Sequence, residues 1–186
     1  MADIESLYKK KDGKVLIEIK ISSLMQLFNS FDPAPFYEKE LDGDAEQYIV
    51  DTVKDFPKKT RFSIVIHLPA GLAASAEAQA VPSAIRNHFQ YKALETDRRF
   101  RQRLKNGRLN LLISLIFLFF AVFASNTVLR LGSTLLHIFL SDAFIISGWV
   151  AMWTPVTLFL YELYPIVQTK NVYERISRME IEVLPT

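Results

Sequence analysis

Three histidines, a cluster of acids and two tryptophans are the side chains here whose chemistry and spacing invite a site. His67, His88 and His137 are far apart in sequence. His67 falls on a strand face opposite Phe62 and Ile64, and His88 sits beside Phe89 on a long helix. A two-histidine metal site competes with satisfied or exposed histidines, and the spacing favours the latter. Asp32, Asp42, Asp44 and Glu46 gather near a proline-rich loop, but the spacing of a calcium-binding EF-hand is absent. They read instead as acids at a helix start, opposite the positive end of its dipole. There is no phosphate-binding glycine loop, dinucleotide fingerprint, H-E-x-x-H or G-x-S-x-G. The chain has no cysteine, which excludes disulfides, thiolate catalysis and cysteine-held metal. No catalytic, cofactor-binding or metal residue is therefore assigned.

The elements that would position such residues divide sharply. Overall the chain is 50% hydrophobic and 23% charged with a formal charge of +2, as in an ordinary soluble domain. That average hides a polar first part and two charge-free apolar runs, LNLLISLIFLFFAVFASNTVL at 109–129 and AFIISGWVAMWTPVTLFLY from 143 to 161. At ~1.5 Å per residue each run can cross a hydrocarbon core of ~30 Å. The expectation is a transmembrane α-helical hairpin over 107–166, with spans near 109–129 and 143–163. The N-terminus has no apolar stretch, so no cleaved signal peptide is expected.

Basic residues set the orientation. Arg98, Arg99, Arg101, Arg103, Lys105 and Arg108 precede the first span, and Lys170, Arg175 and Arg178 follow the second. The segment between carries Arg130 alone. Positive residues stay on the cytoplasmic side near span ends. Both termini are thus predicted inside, with the short connection outside. Their position explains the basic run without nucleic acid, and adds attraction to anionic headgroups of about 1 kcal/mol per group.

Within the spans, Ala121 with Ser125, and Ser147 with Ala151, form small-x-x-x-small pairs that let helices approach closely. Trp149 and Trp153 lie one turn apart, with Trp153 about 16 Å deep counted from Asp142. Tryptophan favours the interface, so at this depth its indole N–H needs a partner, expected at a helix–helix contact, the rival being a ligand or pore wall. Pro155 is expected to kink the second span, with Thr154 and Thr157 satisfying freed carbonyls. Asp142 and Glu162 mark its ends, Glu162 within reach of Arg175 or Lys170. Tyr161 and Tyr164 fit the inner aromatic belt. The connector RLGSTLLHIFLSD at 130–142 is expected as an external amphipathic helix, the rival being a longer second span from about Leu135.

The soluble part, 1–106 with a tail at 167–186, reads as a small α/β (α+β) cytoplasmic domain with a three- to four-stranded sheet. KVLIEIK at 14–20 alternates as a strand, and Asp12-Gly13 can close a hairpin with 4–10. Ser22-Ser23 caps a short helix, and Phe31-Asp32-Pro33-Ala34-Pro35-Phe36 is a loop. A helix over 42–56 carries the stripe Leu41, Ala45, Tyr48, Ile49, Thr52, Val53 and Phe56, and Pro57 stops it. RFSIVIHL at 61–68 is a second strand. Residues 69–80 read as a mobile connection, and a long helix starts near Pro82 with a hinge at Gly107. Met179-Glu180-Ile181-Glu182-Val183 predicts a strand returning to the sheet.

The string Gly148-Trp149-Val150-Ala151-Met152-Trp153, then Pro155, Phe159-Leu160-Tyr161 and Tyr164-Pro165-Ile166, resembles the second span of a family of uncharacterised small prokaryotic two-span membrane proteins. Asp32-Pro33-Ala34-Pro35-Phe36 and Leu41-Asp42 resemble that family's soluble part. The resemblance covers most of the chain and implies no activity and no site. That family often has charges beside the proline, where this chain has Thr154 and Thr157.

Three functional classes follow. A non-enzymatic, self-associating membrane scaffold or interaction subunit, displaying its α/β domain to an unknown protein partner, needs no catalytic set. A channel or transporter subunit needs an oligomer, since two spans are too few for a pore, and the near-absence of ionisable groups in the spans counts against an ion path. A membrane enzyme acting on lipid has no positive support. The lipid bilayer and a second copy of the chain are the expected partners, without cofactor or nucleic acid.

Overall fold

A computed structural model of the chain describes residues 8–29, 31–35 and 39–186. Part of the expected hairpin arm, 4–7, and Phe36 of the proline-rich loop lie outside the described residues. The chain forms two compact units, Met1–Glu95 with Thr169–Thr186, and Thr96–Gln168.

The first unit is built on a four-stranded sheet, ordered β1-β2-β3-β4. β1 (Lys10–Lys11) and β2 (Lys14–Lys20) are antiparallel. Between them Asp12 and Gly13 both take positive φ, 52° and 72°, as a tight two-residue turn requires. β3 (Phe62–Leu68) and β4 (Glu180–Pro185) each add in parallel. Register aligns Ile17, Ile64 and Ile181 across three strands. All three are buried, because alternation puts them on the face covered by helices. The opposite face carries Glu18, His67 and Glu182.

Helices α1 (Gly43–Lys54), the first part of α3 (Ala76–Leu131) and the end of α5 (Leu163–Ser177) supply the other half of this core. Their inward residues are Ile49 and Val53, Val81, Ile85 and Phe89, and Ile176. The parallel strands require long crossovers. β2 reaches β3 through α1, whereas residues 69–179 all lie between β3 and β4.

Residues 69–80 are not the expected mobile connection. They form α2 (Ala70–Ala73) and the first turns of α3, whose start lies at Ala76 rather than near Pro82. Alanine is the best helix former, and the Ser75 hydroxyl accepts from the Ala78 N–H at 3.1 Å. Ala78 and Val81 are fully buried, which ties this segment down.

The second unit pairs the rest of α3 with α4 (Leu135–Thr157). α3 and the helical stretch Leu135–Ser177 are each long and apolar enough to cross a membrane. The separate surface helix expected over 130–142 does not form. Only 132–134 interrupt the two helices, and Leu135 to Asp142 are the opening turns of α4. Its apolar residues Leu135, Leu136, Ile138 and Phe139 are all exposed, so they are not one buried stripe. Nor does the helix break at Gly107. Pro155 cannot donate to the carbonyl one turn back. The irregularity it introduces is followed by a widened π-helical turn, Leu158–Glu162, before α5 begins.

Candidate functional site

Glu46 lies in the first turn of α1, a helix capped by the Asp42 side chain, which accepts from the Asp44 N–H at 3.0 Å. This turn puts its carboxylate against α3. There His88 Nε2–H donates to Glu46 Oε2 at 3.0 Å. The other ring nitrogen, Nδ1, accepts from the backbone N–H of Leu41 at 3.1 Å. Because a backbone amide only donates, Nδ1 carries the lone pair, and the tautomer is assigned from that contact. Tyr173 of α5 donates to Glu46 Oε1 at 3.1 Å, and Lys92 Nζ stands 3.4 Å from Oε2. The His88 hydrogen bond holds the Glu46 carboxyl down to about 2, against the opposing effect of burial and with help from Lys92 and Tyr173. One carboxylate thus joins α1, α3 and α5.

Sequence reasoning treated Glu46 as a helix-start acid and His88 as an ordinary histidine. Glu46 is indeed in the first turn, yet its partners are distant in sequence. The one local signal is that His88 and Lys92, four residues apart, share a helix face.

A cleft of about 580 Å³ opens beside this node, lined by Asn29, Phe31, Asp32, Glu40, His88 and Tyr91. The carboxylate of Asp32 holds its rim, accepting from the N–H groups of Ala34 at 2.9 Å and Glu40 at 2.8 Å. His88 offers the cleft no free lone pair while it holds Leu41. Its geometry is that of a structural clamp and not of a general base. Among the described residues no three histidine, aspartate or glutamate side chains gather as metal ligands. His67 contacts Glu18 at 3.3 Å on the far face of the sheet, where Lys9 also pairs with Glu18. His137 contacts Thr134 at 2.6 Å beside the interhelical turn.

In the second unit, small residues form the seam between α3 and α4. Ala121 is 4% and Ser125 1% exposed, and the hydroxyls of Ser125 and Ser141 meet at 2.7 Å. Gly148 packs on Leu118 and Ala121, and Gly107 packs on Leu158. Gly107 is therefore a close-approach residue and not the expected hinge. Ala121 and Ser125 are spent inside one hairpin. Ser147 is instead exposed and donates to Ala143 O at 2.7 Å, and Ala151 is half-buried. Pro155 is fully buried. Trp149 and Trp153 are 64% and 74% exposed, with no polar partner among the described residues.

The basic stretch is unevenly engaged. Arg101 pairs with Asp97 at 2.7 Å, and Arg103 pairs with Glu162. Arg99 is exposed and also engaged. Arg98, Lys105 and Arg108 are exposed and have no partner among the described residues.

No family model, curated protein or solved structure matches this chain. Its functional reading rests on its own residues.

Proposed function

We propose that this chain is an integral membrane protein of a prokaryotic inner membrane, a non-enzymatic scaffold or interaction subunit that displays its α/β unit in the cytoplasm. The supporting observation is bare apolar surface. Only 17% of the most apolar window of α3, and 11% of that in the helical stretch Leu135–Ser177, is buried. A core helix of a water-soluble domain would be mostly covered, and this much uncovered apolar surface favours lipid as its surroundings. Arg98 to Arg108 before one apolar run, and Lys170 and Arg175 after the other, keep both termini inside.

Self-association uses the exposed flank of α4 bearing Trp149 and Trp153. Hydrocarbon offers an indole N–H no acceptor, and a second hairpin does. The Ala121 and Ser125 pair takes no part, since the hairpin itself covers it.

The test has two arms. Alkaline carbonate washing should leave the chain in the membrane fraction, and reporters fused at either end should be active only in the cytoplasm. In mild detergent, cross-linking should trap a defined oligomer that W149A/W153A reduces to monomer. Release by carbonate, or a reporter active outside, defeats the membrane assignment. A monomeric wild type defeats self-association alone.

A further inference from the structure

One side of α3 changes character abruptly along its length. Arg98, Arg101, Lys105 and Arg108 recur at helical spacing and share a face. The same face continues as Leu109, Leu112, Ile116 and Phe119, all about half or more exposed. From Arg98 to Arg108 is about 15 Å, and the apolar part continues for about as far again. Between residues 96 and 108 there are six basic side chains and one acid, Asp97. That acid binds Arg101, and Glu162 across the hairpin binds Arg103. Three cations on the stripe, Arg98, Lys105 and Arg108, have no partner among the described residues.

We propose that this stripe is a binding surface for an anionic phospholipid. The phosphodiester headgroup lies against Lys105 and Arg108 at the start of the apolar face, Arg98 adds attraction from about 10 Å further along the helix, and one acyl chain runs along Leu109, Leu112, Ile116 and Phe119. Charge complementarity selects the headgroup, because Lys105 and Arg108, unneutralised by the protein, stand directly beside the apolar surface. The continuous apolar face selects a lipid over a soluble anion or a nucleic acid, neither of which would cover it. Guanidinium groups bind phosphate in a fixed two-pronged geometry, while the lysine acts as a point charge. This inference rests on the membrane assignment above and adds the class of lipid.

Native mass spectrometry of the full chain in a mild non-ionic detergent tests it. Phosphatidylglycerol and phosphatidylcholine with the same acyl chains are offered together, with and without a single-stranded oligonucleotide. The wild type should retain phosphatidylglycerol preferentially, by about fivefold for each engaged cation. R98Q/K105Q/R108Q should bring the two lipids to parity, whereas R98K/K105R/R108K should keep the preference. Circular dichroism and monodispersity establish that both variants fold. Equal retention of the two lipids by the wild type overturns the proposal, as does an unchanged preference in the glutamine variant. Displacement of lipid by the oligonucleotide would assign the stripe to nucleic acid instead. A chain that stays dispersed without detergent fails the membrane assignment itself, whereas one that needs detergent but ignores the headgroup fails only here.

Discussion

His88 holds Glu46 with one ring nitrogen and the backbone of Leu41 with the other, at 3.0 and 3.1 Å. The Leu41 contact is buried and the Glu46 contact partly so, and losing the ring leaves the Leu41 N–H without its acceptor and takes from Glu46 one partner beside Tyr173 and Lys92. H88A should therefore lower the stability of the α/β unit by about 2–3 kcal/mol. H88N keeps an acceptor near the Nδ1 position and should recover part of that loss, and H88Q should recover less. Urea unfolding of the full chain in detergent, followed by circular dichroism, measures all three. Equal stability of H88A and wild type would remove the clamp role.

The depressed carboxyl of Glu46 gives a pH dependence of definite sign. Its ordinary value is 4.5 and its folded value about 2, so the folded state binds the proton less tightly. The contribution is full above pH 4.5 and is lost as pH falls toward 2. Solvent screening of the half-buried carboxyl holds this to about 1–2 kcal/mol at neutral pH. Stability of the wild type should fall through this window, and E46Q should show a shallower fall from a lower starting value. Parallel pH profiles for the two proteins would contradict this assignment.

Gly148 tests the helix seam. A methyl group there would sit 2.8 Å from Leu118 Cδ1 and 3.1 Å from Ala121 Cβ. The leucine methyl can swing aside, but Ala121 Cβ is fixed to the backbone of α3. G148A should destabilise the hairpin by about 1–3 kcal/mol, and G148A/A121G should regain much of it. G107A meets only the side chains of Leu158 and Phe159 and should cost less. Thermal melts in detergent rank the variants, and a G148A melt matching the wild type would mean the helices are not packed at this point.

Removal of residues 179–186 should open the α/β unit. It takes Ile181 and Val183 from the core, removes the neighbour of β3, and breaks the bond from Thr186 N–H to Leu68 O at 2.8 Å. Limited proteolysis should then cut within 62–68 well before it does in the full chain. Unaltered protection would exclude β4 as a stabilising strand.

Strands β2, β3 and β4 could be located in the sequence because Val15, Ile17, Ile64, Ile66 and Ile181 alternate strictly with polar or second-face residues. α1 was visible from its apolar stripe and its acids. The long apolar runs needed only their length. Less visible was the beginning of α3, since alanine and serine give no periodic contrast between its faces. The opening of α4 misled in the opposite sense. Its apolar side chains suggested one wet side, but the side turned to α3 carries Ser141, and Leu135, Leu136, Ile138 and Phe139 are exposed. The Glu46 node was hidden because it depends on a backbone amide, a phenol and an imidazole brought together from 41, 173 and 88. No local pattern encodes such a meeting.

β4 sits directly against β3, although the ribosome makes it only after both long helices. Until then β3 has one open edge and Ile64 lacks the Ile181 side of its layer. Completion of the globular part is therefore deferred until the greasy hairpin has left the exit tunnel. On the membrane reading proposed above, this order exposes the apolar hairpin to the bilayer before the sheet can close.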